Sequence, residues 1–144
     1  MHGNLNKGFT LVELISVIVL VGVLSVTVFY RLASVNSVNV QSGRDDVIAA
    51  LFFAQQQSMM RSNITLVIAA NSVSVNESGT PILVSNNYYP LTMPAGVNLS
   101  ATINTFVYDK LGRTTAGTIT LTGSGNSSGA SASIRVEASG YAYY

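Results

Sequence analysis

A carboxylate, Glu13, stands at the head of an uncharged apolar run, LISVIVLVGVLSVTVFY, from Leu14 to Tyr30. About 20 apolar residues in a helix suffice to cross a bilayer, so a run of this kind predicts a membrane-spanning helix. An acid there is costly: roughly 2.5–3.5 kcal/mol for an Asp at the centre of a membrane helix, less near the interface. Such a group calls for a cation. No basic residue lies between Phe9 and Tyr30, so the partner must be a chain terminus, a lipid headgroup or another molecule.

Two plain explanations of an N-terminal apolar segment fall short. A secretory signal peptide has an apolar core of about 7–15 residues and a small-x-small cleavage site. Here the run is longer, and near Ala33-Ser34 an arginine, Arg31, sits where a small residue is wanted. A simple signal anchor fits the length. Neither explains Glu13 or the Gly8-Phe9 junction before it.

The junction reads Lys7-Gly8-Phe9-Thr10-Leu11-Val12-Glu13. It resembles the N-terminal signature of type IV pilins and of type II secretion pseudopilins. The resemblance implies that prepilin peptidase removes a leader of residues 1–8 by cutting between Gly8 and Phe9. It implies N-methylation of Phe9 and pairing of Glu13 with the Phe9 amine of a neighbouring subunit. Cleavage would thus create the cation that Glu13 lacks.

Composition fits a small extracytoplasmic subunit. At 144 residues there is room for one domain, and charged residues make up only 9%. Loss of Lys7 with the leader leaves basic and acidic side chains equal in number, which argues against a partner held by overall charge, such as DNA. Many pilins close a C-terminal loop with a disulfide, but this chain has no cysteine. The charges flanking the run, Lys7 and His2 before and Arg31 after, orient it only weakly. The resemblance places the leader in the cytoplasm and the remainder outside.

Beyond the run the helical pattern continues through Arg31–Val35 and Val38, and a weak stretch from Asn36 to Gly43 follows. Glycine costs about 1 kcal/mol in a helix interior, so a bend or loosening is expected at Gly43. Helical spacing returns over Arg44–Arg61: Val47, Leu51 and Ala54 form one row, and Ile48, Phe52, Gln55 and Met59 the next. Both rows are read as core. A near-continuous helix from Phe9 to Arg61 would be roughly 80 Å long. After Asn63 the period becomes two. Ile64–Ile68, Val73–Val75, Pro81–Val84, Val97–Leu99, Thr105–Tyr108, Thr118–Thr122, Ser133–Glu137 and Tyr141–Tyr144 read as strands or extended chain, and residues 86–91 and 123–129 as loops.

The later strands sharpen the resemblance. A strand ending in F-x-x-D-x-x-G-R (Phe106, Asp109, Gly112, Arg113), an alternating T-I-T-L-T, and I-R-V-x-x-S-G ending at Gly140 are similar to the β domain of certain minor pilins and pseudopilins. These are the H-type minor pseudopilins, the T-type fimbrial minor pilins and the minor pilins of the mannose-sensitive haemagglutinin pilus.

An enzyme is not expected. The single histidine, His2, falls in the leader, and cysteine is absent, which removes the usual nucleophile–base pairs and transition-metal ligand sets. No cofactor and no metal are expected. Some T-type minor pilins bind DNA through a basic motif after the last glycine. Here that segment is Gly140-Tyr141-Ala142-Tyr143-Tyr144, without arginine, and Lys110, Arg113 and Arg135 form at best a weak ligand patch.

The expected architecture is therefore α+β and pilin-like. A leader (1–8) precedes a transmembrane and assembly helix (9–30), its amphipathic continuation (31–62), and an antiparallel β domain (63–144) packed on that continuation. The expected function is a structural subunit of a type IV pilus or type II secretion pseudopilus; the alternative is a tip subunit that binds DNA or a surface ligand. Expected partners are other pilin subunits, the prepilin peptidase/N-methyltransferase, and the inner membrane with its assembly platform. The expected location is the bacterial inner membrane, single-pass, with the β domain in the periplasm.

Overall fold

The computed structural model describes residues 10–83, 89–124 and 129–144, the side chains of 26–36 excepted. Gly8 and Phe9 lie outside the described residues, as do 84–88 and 125–128. The chain divides into two compact units, residues 1–34 and 35–144, and α1 (Leu11–Met60) contributes to both.

In the first unit α1 starts on Thr10, whose carbonyl oxygen accepts from Glu13 N at 3.1 Å and from Leu14 N at 3.2 Å. The large apolar side chains from Leu11 to Leu24 are 49–73% exposed. The serines in this stretch turn their hydroxyls inward along the helix: Ser16 Oγ donates to Val12 O and Ser25 Oγ to Val21 O, each at 2.7 Å. These back-bonds leave no serine hydroxyl in search of water. Among the described residues no helix is long and apolar enough to cross a membrane. The described side chains of the run stop at Ser25, and Val26–Tyr30, which would complete the expected span, lie beyond them.

In the second unit α1 runs through Gly43 without a break, so the expected loosening is absent. A Cβ at Gly43 would stand 3.3 Å from Leu121 Cδ2, 3.4 Å from Met93 Sδ and 3.5 Å from Pro94 Cδ. The glycine lets these groups close on the helix, and that packing offsets its poor propensity. Val40, Val47, Ala50, Leu51 and Ala54 form the buried stripe. Phe52 and Met59, expected in the core, are instead 43% and 54% exposed, because the sheets cover a narrower arc than the two apolar rows. The helix ends at Met60, where Arg61 N still donates to Gln57 O and Asn63 takes a left-handed φ of 58°, a conformation asparagine tolerates at helix ends.

Among the described residues nine strands follow: β1 Ile64–Ala69, β2 Ser72–Glu77, β3 Thr80–Pro81, β4 Leu91–Thr92, β5 Val97–Ala101, β6 Thr105–Tyr108, β7 Gly117–Gly123, β8 Ser131–Val136 and β9 Ala142–Tyr143. They form two antiparallel sheets where one was expected. The first is ordered β3-β2-β1-β6, with β4 also on β2; the second is ordered β5-β7-β8-β9. The division falls between β5 and β6: the β1–β6 ladder ends at Val67↔Thr105, while Ala101 pairs with Ile119 of β7. Backbone bonds from Ile68 N to Asn104 O (2.8 Å) and Leu99 N to Ala70 O (2.7 Å) join the seam. Alternation fixes the inner faces: Ile64, Leu66 and Ile68; Val73 and Val75; Phe106 and Tyr108; Ile119 and Leu121; Ile134 and Val136. All belong to one apolar cluster with the buried stripe of α1.

Candidate functional site

Two groups of residues deserve a chemical reading: the start of α1, and the turns where the β domain meets the helix.

At the start of α1, Thr10 Oγ1 accepts from Glu13 N at 3.3 Å. Thr10 is therefore the N-cap and Glu13 the third helical residue, the T-x-x-E arrangement of a capping box. That role was not drawn from the sequence, although the spacing carries it. A carboxylate in the first turn of a helix gains about 0.3–1 kcal/mol from the helix dipole. This falls short of the roughly 2.5–3.5 kcal/mol that an acid costs at the centre of a membrane helix, the upper bound for a group at the head of the run. Glu13 makes no ion pair among the described residues.

The second group gathers the residues of the F-x-x-D-x-x-G-R and S-G segments. Asp109 Oδ1 accepts from Leu111 N at 2.8 Å and Arg113 N at 2.9 Å, and Oδ2 accepts from Arg113 Nε at 2.8 Å. The Arg113 backbone N–H is the main cause of a carboxyl pKa below its ordinary value; the Arg113 side chain and the Leu111 N–H add to it. The turn closes on Gly112, with φ 75°. Next to it lies Gly140, φ 85°, where a Cβ would collide with Gly112 O and with Gln55 Nε2. Gln55 joins them: its Nε2 donates to Gly112 O at 3.3 Å and to Ser139 O at 3.1 Å. Helical periodicity alone assigns Gln55 to an apolar row. Its signal was a lone amide on the helix face next to the buried stripe.

The C-terminal residues follow the helix from there. Tyr141 packs on Phe52 with ring centroids 6.4 Å apart, and the Arg44 guanidinium sits 4.2 Å over the Tyr144 ring. Non-covalent contacts thus hold the C-terminal residues against α1. Lys110 and Arg113 lie in the turn after β6, Arg135 on β8 of the other sheet. Asp109 neutralises Arg113 within the turn, so the phosphate-binding potential of these three residues is small. Among the described residues no group of three or more His, Cys, Asp or Glu could hold a metal. A groove of about 250 Å³ lined by Ser100, Ala101, Thr102, Thr118 and Thr120 carries no ionisable side chain.

Comparison with known proteins agrees with this geometry. Residues 3–29 match the family model of the prokaryotic N-terminal methylation motif, a segment that contains Gly8, Phe9 and Glu13. No curated protein sequence matches the chain. Among solved structures, the type IV minor pilin FimU of Pseudomonas aeruginosa PAO1 superposes with a TM-score of 0.52 at 15% identity, covering 72% of this chain and 90% of FimU. At that identity the likeness concerns the fold: a long N-terminal helix packed on antiparallel sheet. The chain thus carries a prokaryotic N-terminal methylation motif at one end and, behind it, a fold like that of a type IV minor pilin.

Proposed function

We propose that the chain is a minor pilin or pseudopilin, made as a precursor and built into a type IV pilus or a type II secretion pseudopilus. In this reading prepilin peptidase cuts between Gly8 and Phe9, and Phe9 is N-methylated. The subunit then waits in the inner membrane, single-pass, with its β domain in the periplasm. On assembly the Glu13 carboxylate of one subunit meets the Phe9 ammonium of the next.

One observation carries the reading: Glu13 is the only charged side chain from Thr10 to Ser25, set among apolar side chains that are all well exposed. An apolar surface of that extent is not left to water; lipid first, and neighbouring helices later, would cover it. Once covered, Glu13 must find a cation, since the helix dipole supplies only part of what it loses. An N-terminus at Phe9 would place a positive charge in the same first turn of a neighbour. The methylation motif supports the processing step, and the likeness to a minor pilin supports the subunit type. The test is the mass of the N-terminal peptide of protein extracted from membranes: it should start at Phe9 and carry one methyl group.

A further inference from the structure

Met59 and Met60 close α1 with side chains 54% and 63% exposed, whereas Met93 is 6% exposed. Met59 also has a packing role. Its Cε rests against Gly112, so close that a Cβ there would stand 2.7 Å away, with Gln55 Cγ at 2.9 Å. A half-exposed side chain is thus seated, by its Cε, on the glycine whose carbonyl oxygen Gln55 holds. Met60 is the natural control, somewhat more exposed and about 100° further round the helix.

We propose that Met59 is an oxidation site whose sulfoxide loosens the Asp109–Arg113 turn from α1. The oxidant is a hydroperoxide. The sulfur lone pair attacks one peroxide oxygen, an S–O bond forms and the O–O bond breaks. Sulfur loses two electrons, and hydrogen peroxide leaves as water. The product is polar and chiral, where the thioether was apolar and flexible. Its oxygen seeks water, whereas the methyl end of Met59 is packed against Gly112. Met59 therefore swings outward, and the Gly112 turn, held to α1 by the 3.3 Å bond from Gln55 to Gly112 O, loses that neighbour. Methionine sulfoxide reductase reverses the change.

The test uses the detergent-solubilised full chain treated with hydrogen peroxide, read by peptide mass mapping and by amide hydrogen exchange over residues 109–113 and 138–140. Met59 and Met60 should convert at least about tenfold faster than Met93. Exchange in the two turns should quicken about fivefold as Met59 converts, and reductase should restore it. Met59→Leu keeps the volume and should abolish the response; Met60→Leu should keep it. Conversion of Met59 no faster than Met93, oxidation of Met59 without faster exchange, or a full response in Met59→Leu would each overturn the proposal.

Discussion

The side-chain amide of Gln55 donates to the carbonyl oxygen of Ser139 at 3.1 Å, a contact that spans 84 positions of sequence. The same nitrogen reaches Gly112 O at 3.3 Å, so both N–H groups of the amide are directed at backbone carbonyls. One helix residue thereby fastens the turn after β6 and the turn after β8. Removing it should leave the buried Gly112 carbonyl short of a donor, while Ser139 O turns to water, and Gln55→Ala should lower stability by about 1–2 kcal/mol. Gln55→Glu should be worse than Gln55→Ala, because an ionised carboxylate would face two carbonyl oxygens. Thermal melts of the two variants beside the parent chain check the order; equal melting of all three would remove the fastening role.

Gly79 and Gly140 share a φ of 85° but not their surroundings. A Cβ at Gly79 would meet nothing within 4 Å, whereas at Gly140 it would strike Gly112 O and Gln55 Nε2. Gly79→Ala should therefore cost only the left-handed backbone strain, about 1–2 kcal/mol. Gly140→Ala should exceed it by at least about 2 kcal/mol, since the two turns must part. Denaturant titration of both variants measures the gap.

Asp109 offers a pH test. Its folded-state pKa is lowered from the ordinary 3.8, chiefly by the Arg113 backbone N–H. The stabilising contribution is therefore complete above the unfolded value and is lost as pH falls through the lower folded one. Asp109→Asn should be less stable than the parent at neutral pH, and the two should converge in acid below the folded value. A constant gap across the acid range would show that the charge is not what the turn uses.

Glu13→Ala and Glu13→Gln address the assembly step. Both should still be cut after Gly8, yet both should enter filaments at least about tenfold less than the parent, a factor equivalent to 1.4 kcal/mol. The ratio of sheared to membrane-held protein gives the number. Normal incorporation of either variant would show that the carboxylate is not needed.

Much of this architecture could be read from the chain, for reasons particular to each segment. Ile64-Thr65-Leu66-Val67-Ile68 declares itself because it is rich in β-branched residues and its buried members, Ile64, Leu66 and Ile68, fall two apart. Leu91–Thr92 gives no such signal: two residues cannot show a period, and Pro90 and Pro94 stand close by. The split into two sheets is equally silent, since strands β5 and β6 differ in partner and not in pattern. Around Gly43 local propensity pointed to a loosened helix, and close packing from Met93, Pro94 and Leu121 prevailed. Periodicity found the apolar arc of α1 but not how much of it the sheets cover, so Phe52 and Met59 were placed inside. At the turns, Gly112 and Gly140 were legible as markers of resemblance. The collision that requires glycine at Gly140 involves a carbonyl from a distant turn, and only the fold brings the two together.

The central claim is that processing creates the positive charge Glu13 requires, and the mass of the mature N-terminal peptide tests it most directly. Protein extracted from membranes and from sheared filaments should begin at Phe9 with a single added methyl group. A chain that begins at Met1, or downstream of Tyr30, would contradict the account.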